Sequence, residues 1–290
     1  MKPAPFQYHA PETIDEAVGL LAEHGDAAKP LAGGQSLVPM LALRLTRFEH
    51  LVDLERVGAL TGIEARGGTL RIGAMTRQRV VERSAEVARA VPLLARAVPL
   101  VGHFQIRNRG TIGGSLAHAD PASELPAVAL ALDATMEITG PAGTRPVPAA
   151  DFFLSTWTTA VADDELLTAI NFPARRARSG FAVEEVARRA GDFALVGIAG
   201  AVELDDGDRV ARVALARFGL GPSAQRAPDA EAALTGTDAG AADVEAAAYA
   251  AVADANPTDD LHASGHYRRQ VGAHLAARVL AAALAEARGA

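Results

Sequence analysis

Apolar residues at positions 14, 17, 18, 20 and 21 recur at the spacing of one helix face, with helix punctuation on both sides. Thr13 and Glu16 have the capping-box spacing, in which hydroxyl and carboxylate satisfy the free amides of a helix start, and Gly25 supplies the C-terminal stop. Phe6 and Tyr8 predict a short strand before this helix. Residues 29–32 predict a second strand, residues 37–44 a short apolar helix, and HLVDL at 50–54 a third strand. The opening therefore reads as a small β-α-β-loop-α-β unit.

Further along, residues 60–74 alternate around Gly67-Gly68, the strongest hairpin signal in the chain. Two helical runs fill residues 76–97, residues 110–120 read as a loop, and residues 121–132 predict a helix with Pro121 in its first turn. Residues 134–139 and 144–147 flank Gly140-Pro141-Ala142-Gly143 as a second hairpin, and residues 165–172 predict a strand ending at Pro173. The polar, glycine-terminated run 175–180 marks a domain boundary. Beyond it, strands are expected at 181–187, 194–204 and 210–220, then helices from residue 230 to a terminal helix over 265–287. Between residues 227 and 255, 14 of 29 residues are alanine, which suits helix and is silent about binding. The pattern predicts a small α+β module behind the first domain.

The 290 residues suffice for two domains with real cores. The absence of cysteine excludes disulfides, thiolate zinc sites, iron–sulfur ligation and a cysteine nucleophile from this chain. A net charge of −7 with 28 Lys+Arg and no basic stripe argues against nucleic acid. The N-terminus lacks an apolar leader core, and no apolar run approaches the ~18 residues a membrane span needs, so a cytoplasmic protein with no integral membrane segment is expected. HExxH, GxxxxGK[ST], GxSxG and a strand–GxGxxG–helix arrangement are all missing. Gly219-Leu220-Gly221-Pro222 lacks the third glycine of a dinucleotide fingerprint and carries a proline in the turn.

Two glycine-rich segments with small polar residues remain: Ala32-Gly33-Gly34-Gln35-Ser36-Leu37, preceded by Leu31, and Gly110-Thr111-Ile112-Gly113-Gly114-Ser115-Leu116. In each, successive backbone N–H groups can converge on an anion while missing side chains permit close approach. Two such loops suit a diphosphate, whose phosphates need donors from more than one side; each Gly-Gly pair is equally an ordinary turn. Asp120 and Glu124 follow the second segment, either as ribose acceptors or as an acidic first helical turn. Arg107 and Arg109 face a phosphate or sit in surface ion pairs. His103 and His118 lack metal-ligand spacing and read as structural, and the single tryptophan, Trp157, reads as core. Phe193 lies in a turn between strands, where it covers a flat ring or simply packs.

AGGQSLVPMLALRL at 32–45, LRIGAMT at 70–76 and RNRGTIGGSLAHADPASELPAVALALDA at 107–134 closely resemble the flavin-binding medium subunit of the molybdenum hydroxylases, the family of aerobic carbon monoxide dehydrogenase and xanthine dehydrogenase. VARRAGDFALVGIA at 186–199 is similar to the start of that family's C-terminal domain. The resemblance spans essentially the whole chain. It implies an α+β protein: a two-subdomain FAD-binding domain of the vanillyl-alcohol-oxidase (PCMH) type over residues 1–175, divided near residue 56, then a C-terminal α+β domain over 176–290 with a three-stranded antiparallel sheet and helices. It further implies that Ala32 to Ser36, flanked by Leu31 and Leu37, and Thr111, Gly113, Gly114 and Ser115 hold the diphosphate and nearby flavin atoms. Asp120 or Glu124 would contact ribose or ribityl hydroxyls, Val101 and Leu167 would line the groove, Lys29 would approach FAD, and Phe193 would lie over the isoalloxazine. Gln35 stands where His is frequent in the family and Ser115 where Asn is frequent; both remain polar. No catalytic residue or metal ligand is implied in this chain. The implied partners are a molybdenum–pterin large subunit and a [2Fe–2S] small subunit, in a dimer of heterotrimers. The alternatives are a self-sufficient flavin oxidase or reductase of the same fold, and an assembly subunit that has lost flavin.

Overall fold

The computed structural model describes residues 2–289. The chain begins with strand β1 (Gln7–His9), helix α1 (Ile14–His24), strand β2 (Ala28–Leu31), helix α2 (Leu37–Ala42) and strand β3 (His50–Asp53), close to the order expected from sequence. Thr13 caps the helix as expected, its hydroxyl accepting from the Glu16 amide at 3.1 Å, while the Glu16 carboxylate reaches one residue beyond the cap and accepts from the Glu12 amide at 2.8 Å. The three strands make a parallel sheet in the order β1-β3-β2. One face carries Val52, buried against Ala17, Val18 and Leu21 of α1; on the other, the Tyr8 hydroxyl donates to Asp53 at 2.6 Å.

A second, antiparallel sheet has the order β4-β5-β10-β6-β7, built from β4 (Ile63–Arg66), β5 (Thr69–Gly73), β6 (Thr135–Gly140), β7 (Gly143–Pro148) and β10 (Leu166–Pro173). Between β5 and β6 run six short helices: α3 (Gln78–Glu82), α4 (Ala85–Ala90), α5 (Pro92–Ala97), α6 (Phe104–Arg109), α7 (Ile112–His118) and α8 (Glu124–Ala131). After β7 come α9 (Ala149–Phe152) and the two-stranded pair β8 (Phe153–Ser155) and β9 (Thr158–Thr159). Residues 110–120 are therefore not the loop expected from their glycines. Thr111 caps a helix there, and Gly113 and Gly114 lie inside its first turn, because neighbouring backbone supplies the order that glycine propensity does not.

The C-terminal sheet comprises β11 (Ser179–Val186), β12 (Val196–Leu204), β13 (Val210–Phe218) and β14 (Gln225–Arg226), followed by α10 (Pro228–Leu234), α11 (Ala241–Ala253) and α12 (Gly265–Gly289). It is antiparallel as expected but four-stranded rather than three-stranded. The added strand is only two residues long, pairing with Ala216 and Arg217, too short to show an alternating pattern. One face of this sheet presents Val196, Ile198, Val213 and Leu215 to α12; the other presents the smaller Ala199, Ala201, Ala214 and Ala216 to a core shared with α8. Every residue of α8 is buried, so this helix is clamped between the second and third sheets.

Candidate functional site

The first glycine segment leaves the carboxyl end of parallel strand β2, the edge at which α/β sheets bind ligands. Gly34 takes φ +71°, open to glycine without strain, and its carbonyl accepts from Val38 N at 3.1 Å. The Gln35 side-chain amide folds back and donates to the Gly33 carbonyl at 3.0 Å. Ser36 caps α2 without using its hydroxyl for the cap. Among the described residues, the backbone N–H groups of Gly33, Gly34, Gln35 and Ser36 donate to no protein acceptor. The first three of these residues border a cavity of about 310 Å³ lined by Leu31, Ala32, Gly33, Gly34, Gln35, Val38, Pro39, Asp53 and Arg109.

The second segment is built differently. Gly113 N donates to Ala74 O at 2.8 Å, Ile112 N to Thr76 O at 3.0 Å, and Gly114 N to the Thr111 hydroxyl at 3.0 Å. Its donors are thus consumed within the protein, whereas the sequence suggested two loops of free donors. Contact distances give the glycines their purpose. A Cβ on Gly33 would stand 2.3 Å from the Arg109 carbonyl oxygen, one on Gly113 2.4 Å from the Ala74 methyl, and one on Gly114 2.6 Å from Thr111 Oγ1 and 3.1 Å from the Ala32 methyl. The two segments therefore interlock backbone to backbone, the first offering donors and the second forming the wall behind them.

Around this junction lie the polar candidates. Ala119, in the left-handed region at φ 51°, ends α7 and turns the chain into Asp120. Asp120 Oδ1 accepts from Ala122 N at 2.9 Å and Oδ2 from the Trp157 indole at 3.3 Å. Trp157 is not core: it is 58% exposed, with its ring stacked on His118 at 6.3 Å. Burial lowers the His118 pKa; the Asp120 charge opposes this and the Lys29 charge adds to it. Glu124 is 4% exposed, and burial pushes its carboxyl up to about 8, so it is neutral at pH 7 and able to donate. The Ser115 and Ser123 hydroxyls lie 3.3 Å apart.

The two arginines separate cleanly. Arg107 is buried, pairs with Glu82 through Nε at 3.0 Å, and donates Nη1 to the carbonyls of Val101 (3.0 Å) and Gly102 (2.8 Å). It braces the Val101 segment from behind. Arg109 lines the first-loop cavity and shares Glu55 with Arg77, at 3.1 and 2.8 Å. Leu167 is buried on β10, opposite Ile138. His103 packs against Gly191, where a Cβ would meet its ring at 2.5 Å, so the turn carrying Phe193 is folded onto the Val101–His103 segment. Phe193 itself is 61% exposed.

Sequence reasoning overlooked Asp53, although its place at the carboxyl end of a parallel strand was a usable signal. It also overlooked Glu185. Burial raises the Glu185 carboxyl to about 7, one of its oxygens is buried without a partner, and its charge helps raise Glu124. Only the register of β11 reveals which of Glu184 and Glu185 turns inward.

Residues 4–175 match the family described as the FAD binding domain in molybdopterin dehydrogenase, and residues 181–283 match the CO dehydrogenase flavoprotein C-terminal domain. The chain is 41% identical over 288 residues to the 6-hydroxypseudooxynicotine dehydrogenase complex subunit alpha of Paenarthrobacter nicotinovorans, covering 99% of this chain and 97% of that one. It is 40% identical over 285 residues to the carbon monoxide dehydrogenase medium chain of Hydrogenophaga pseudoflava, covering 98% and 99%. A solved structure of carbon monoxide dehydrogenase from the same organism superposes with a TM-score of 0.96 at 42% identity, covering 98% of this chain and 99% of that one. With both family segments present in order and relatives matched along their full length, the chain belongs to the FAD-binding medium subunits of the molybdenum hydroxylases, oxidoreductase components whose cofactor is FAD.

Proposed function

We propose that this chain is the electron-transfer subunit of a heteromeric molybdenum hydroxylase, accepting electrons from [2Fe–2S] clusters on a small subunit and passing them to an external acceptor. The observation that carries this reading is the row of unclaimed N–H groups that begins with Gly33, Gly34 and Gln35 along a cavity, in a chain with no cysteine to ligate a cluster. Those donors suit a diphosphate, and Gly33 lets the Arg109–Gly110 backbone close against the loop that offers them. Bound FAD supplies the redox chemistry, exchanging electrons singly or in pairs.

The chain's own residues hold and orient. Gly33, Gly34, Gln35 and Ser36 donate to the diphosphate, with Ala32, Leu31 and Leu37 fixing the turn. Thr111, Gly113, Gly114 and Ser115 form the opposing wall. Asp120 as an acceptor, or Glu124 as a neutral donor, takes a ribose or ribityl hydroxyl. Val101 and Leu167 line the groove, Lys29 approaches from the β2 side, and Phe193 covers the ring from the C-terminal sheet and excludes water. We place the functional division at residue 175, with a cofactor domain before it, itself divided near residue 56, and a covering domain after it. The partners in this reading are a molybdenum–pterin large subunit and the cluster-bearing small subunit, assembled as a dimer of heterotrimers in the cytoplasm. Among the described residues no helix is long and apolar enough to cross a membrane.

Substrate choice belongs to the large subunit, and the relatives' names differ accordingly, one for carbon monoxide and one for 6-hydroxypseudooxynicotine. The test is purification from the native host by a tag on this chain. Co-purification of two further subunits with iron, molybdenum and one FAD per copy is expected. A chain that purifies alone with FAD and turns over a small substrate by itself would establish the self-sufficient oxidase instead.

A further inference from the structure

Three of the eight histidines converge at the first sheet: His9 at the end of β1, His24 at the end of α1 and His50 at the start of β3. His9 Nε2 and His50 Nδ1 are 3.0 Å apart, the His24 and His50 rings stack at 3.7 Å, and the His9 and His24 rings are 5.4 Å apart. One ring nitrogen from each residue lies within 4.8 Å of those of the other two. All three side chains are half-buried.

The fold produces this convergence. In the parallel register His9 pairs with Val52 and Gln7 with His50, so His9 and His50 share the sheet face that buries Val52 under α1. The last residue of α1 then lays His24 over them. We propose that His9, His24 and His50 form a binding site for one divalent transition-metal ion of the zinc class, which ties the C-terminal end of α1 to strands β1 and β3.

Chemistry favours this class of ligand. Three neutral imidazoles are a donor set of borderline softness, suited to zinc, copper or nickel rather than magnesium or calcium. Tetrahedral zinc with Zn–N bonds of ~2.0–2.1 Å spaces its ligand nitrogens about 3.3 Å apart, close to the His9–His50 separation. The stacked His24 ring needs only a turn about χ2, a broad torsion, to aim its lone pair at the same point. The carboxyl end of an 11-residue helix carries partial negative charge that favours a cation there. The Glu23 carboxylate lies 4.0 Å from His24 Nε2 and offers a fourth ligand or a charge balance. The cluster faces away from Asp53, which lines the flavin cavity from the other face of the sheet, so metal and flavin are held independently.

The test uses the untagged, FAD-loaded full chain, stripped with chelator and titrated with zinc chloride by calorimetry and with cobalt(II) by visible absorption. One ion per chain is expected, with the cobalt form showing tetrahedral ligand-field bands. His24→Gln and His50→Gln should each weaken zinc by at least about tenfold. His274→Gln, an exposed histidine on α12, should leave zinc affinity unchanged, and flavin content should be the same in all four proteins. If His50→Gln fails to fold, His24→Gln at the end of its helix carries the comparison. No zinc uptake by the wild type, or the same affinity in His24→Gln as in the wild type, would overturn the site and leave a hydrogen-bonded imidazole stack.

Discussion

At the residue scale, adjacent glycines have different work. Gly113 is pressed against Ala74, whereas Gly114 faces Ala32 across the junction of the two segments. Gly114→Val should therefore abolish FAD binding while the far-ultraviolet spectrum stays native, and Gly113→Val should lower the thermal midpoint as well. Equal flavin content in Gly114→Val and the wild type would contradict the assignment. Asp120→Ala should cost less, about 0.5–3 kcal/mol in FAD affinity by titration, because it removes side-chain hydrogen bonds and not the cradle.

Glu124 adds a pH dependence. Its folded pKa of about 8 lies above the ordinary 4.5, so the folded state binds the extra proton. The stability this gives is fully present below the unfolded value and is lost as pH rises through the folded one. Glu124→Gln keeps the neutral shape at every pH, so its thermal midpoint should exceed that of the wild type at about pH 9 by on the order of 10 °C and come close to it near pH 5. A parallel pH profile for the two proteins would show that Glu124 is not the titrating group. None of this was legible in the sequence: Asp120 and Glu124 looked interchangeable there, and only burial against the C-terminal sheet sets Glu124 apart.

At the scale of elements, periodicity and punctuation located most pieces. Thr13 and Glu16 marked the first helix, and Gly67-Gly68 marked the β4–β5 hairpin. The failure at residues 110–120 is informative. Gly113 and Gly114 argue locally for a turn, but Ala74 O and Thr76 O, from a segment more than thirty residues earlier, accept the amides that start the helix. Nonlocal backbone partners of this kind leave no mark on local composition. The α6 helix was missed for a related reason: its one buried side chain is Arg107, held by Glu82 and two carbonyls rather than by an apolar stripe. Arg107→Met should leave Glu82 to Arg79 alone, at 2.8 Å, strip the Val101 and Gly102 carbonyls of their side-chain donor, and destabilise the protein by about 1–3 kcal/mol in urea denaturation. Arg107→Lys should recover only part of this, since an ammonium lacks the planar fork that reaches both carbonyls and the carboxylate.

At the scale of the whole molecule, the polar run 175–180 falls where one family segment gives way to the next, but the packing between the two segments was not visible in the sequence. The second and third sheets share one core through α8, and Arg212 and Arg226 both reach across to Asp133, at 2.5 and 2.8 Å. The alanines on that face of the C-terminal sheet, read from sequence as uninformative, are small because a helix must lie close upon them. The covering sheet is thereby fixed over the flavin domain, and the Phe193 turn is held on the Val101 segment. The zero-cysteine composition acts at this scale too, since it assigns any iron–sulfur relay to another polypeptide.

The most direct measurement compares the native complex with one assembled around the Gly114→Val chain. The iron–sulfur clusters of each are reduced anaerobically with dithionite and then mixed in a stopped-flow instrument with the acceptor that reoxidises the native complex. Rapid reoxidation through the flavin is expected in the native complex, with clusters that stay reduced in the flavin-free one. Cluster reoxidation at the native rate without flavin would show that electrons leave by another route and that this subunit does not carry them.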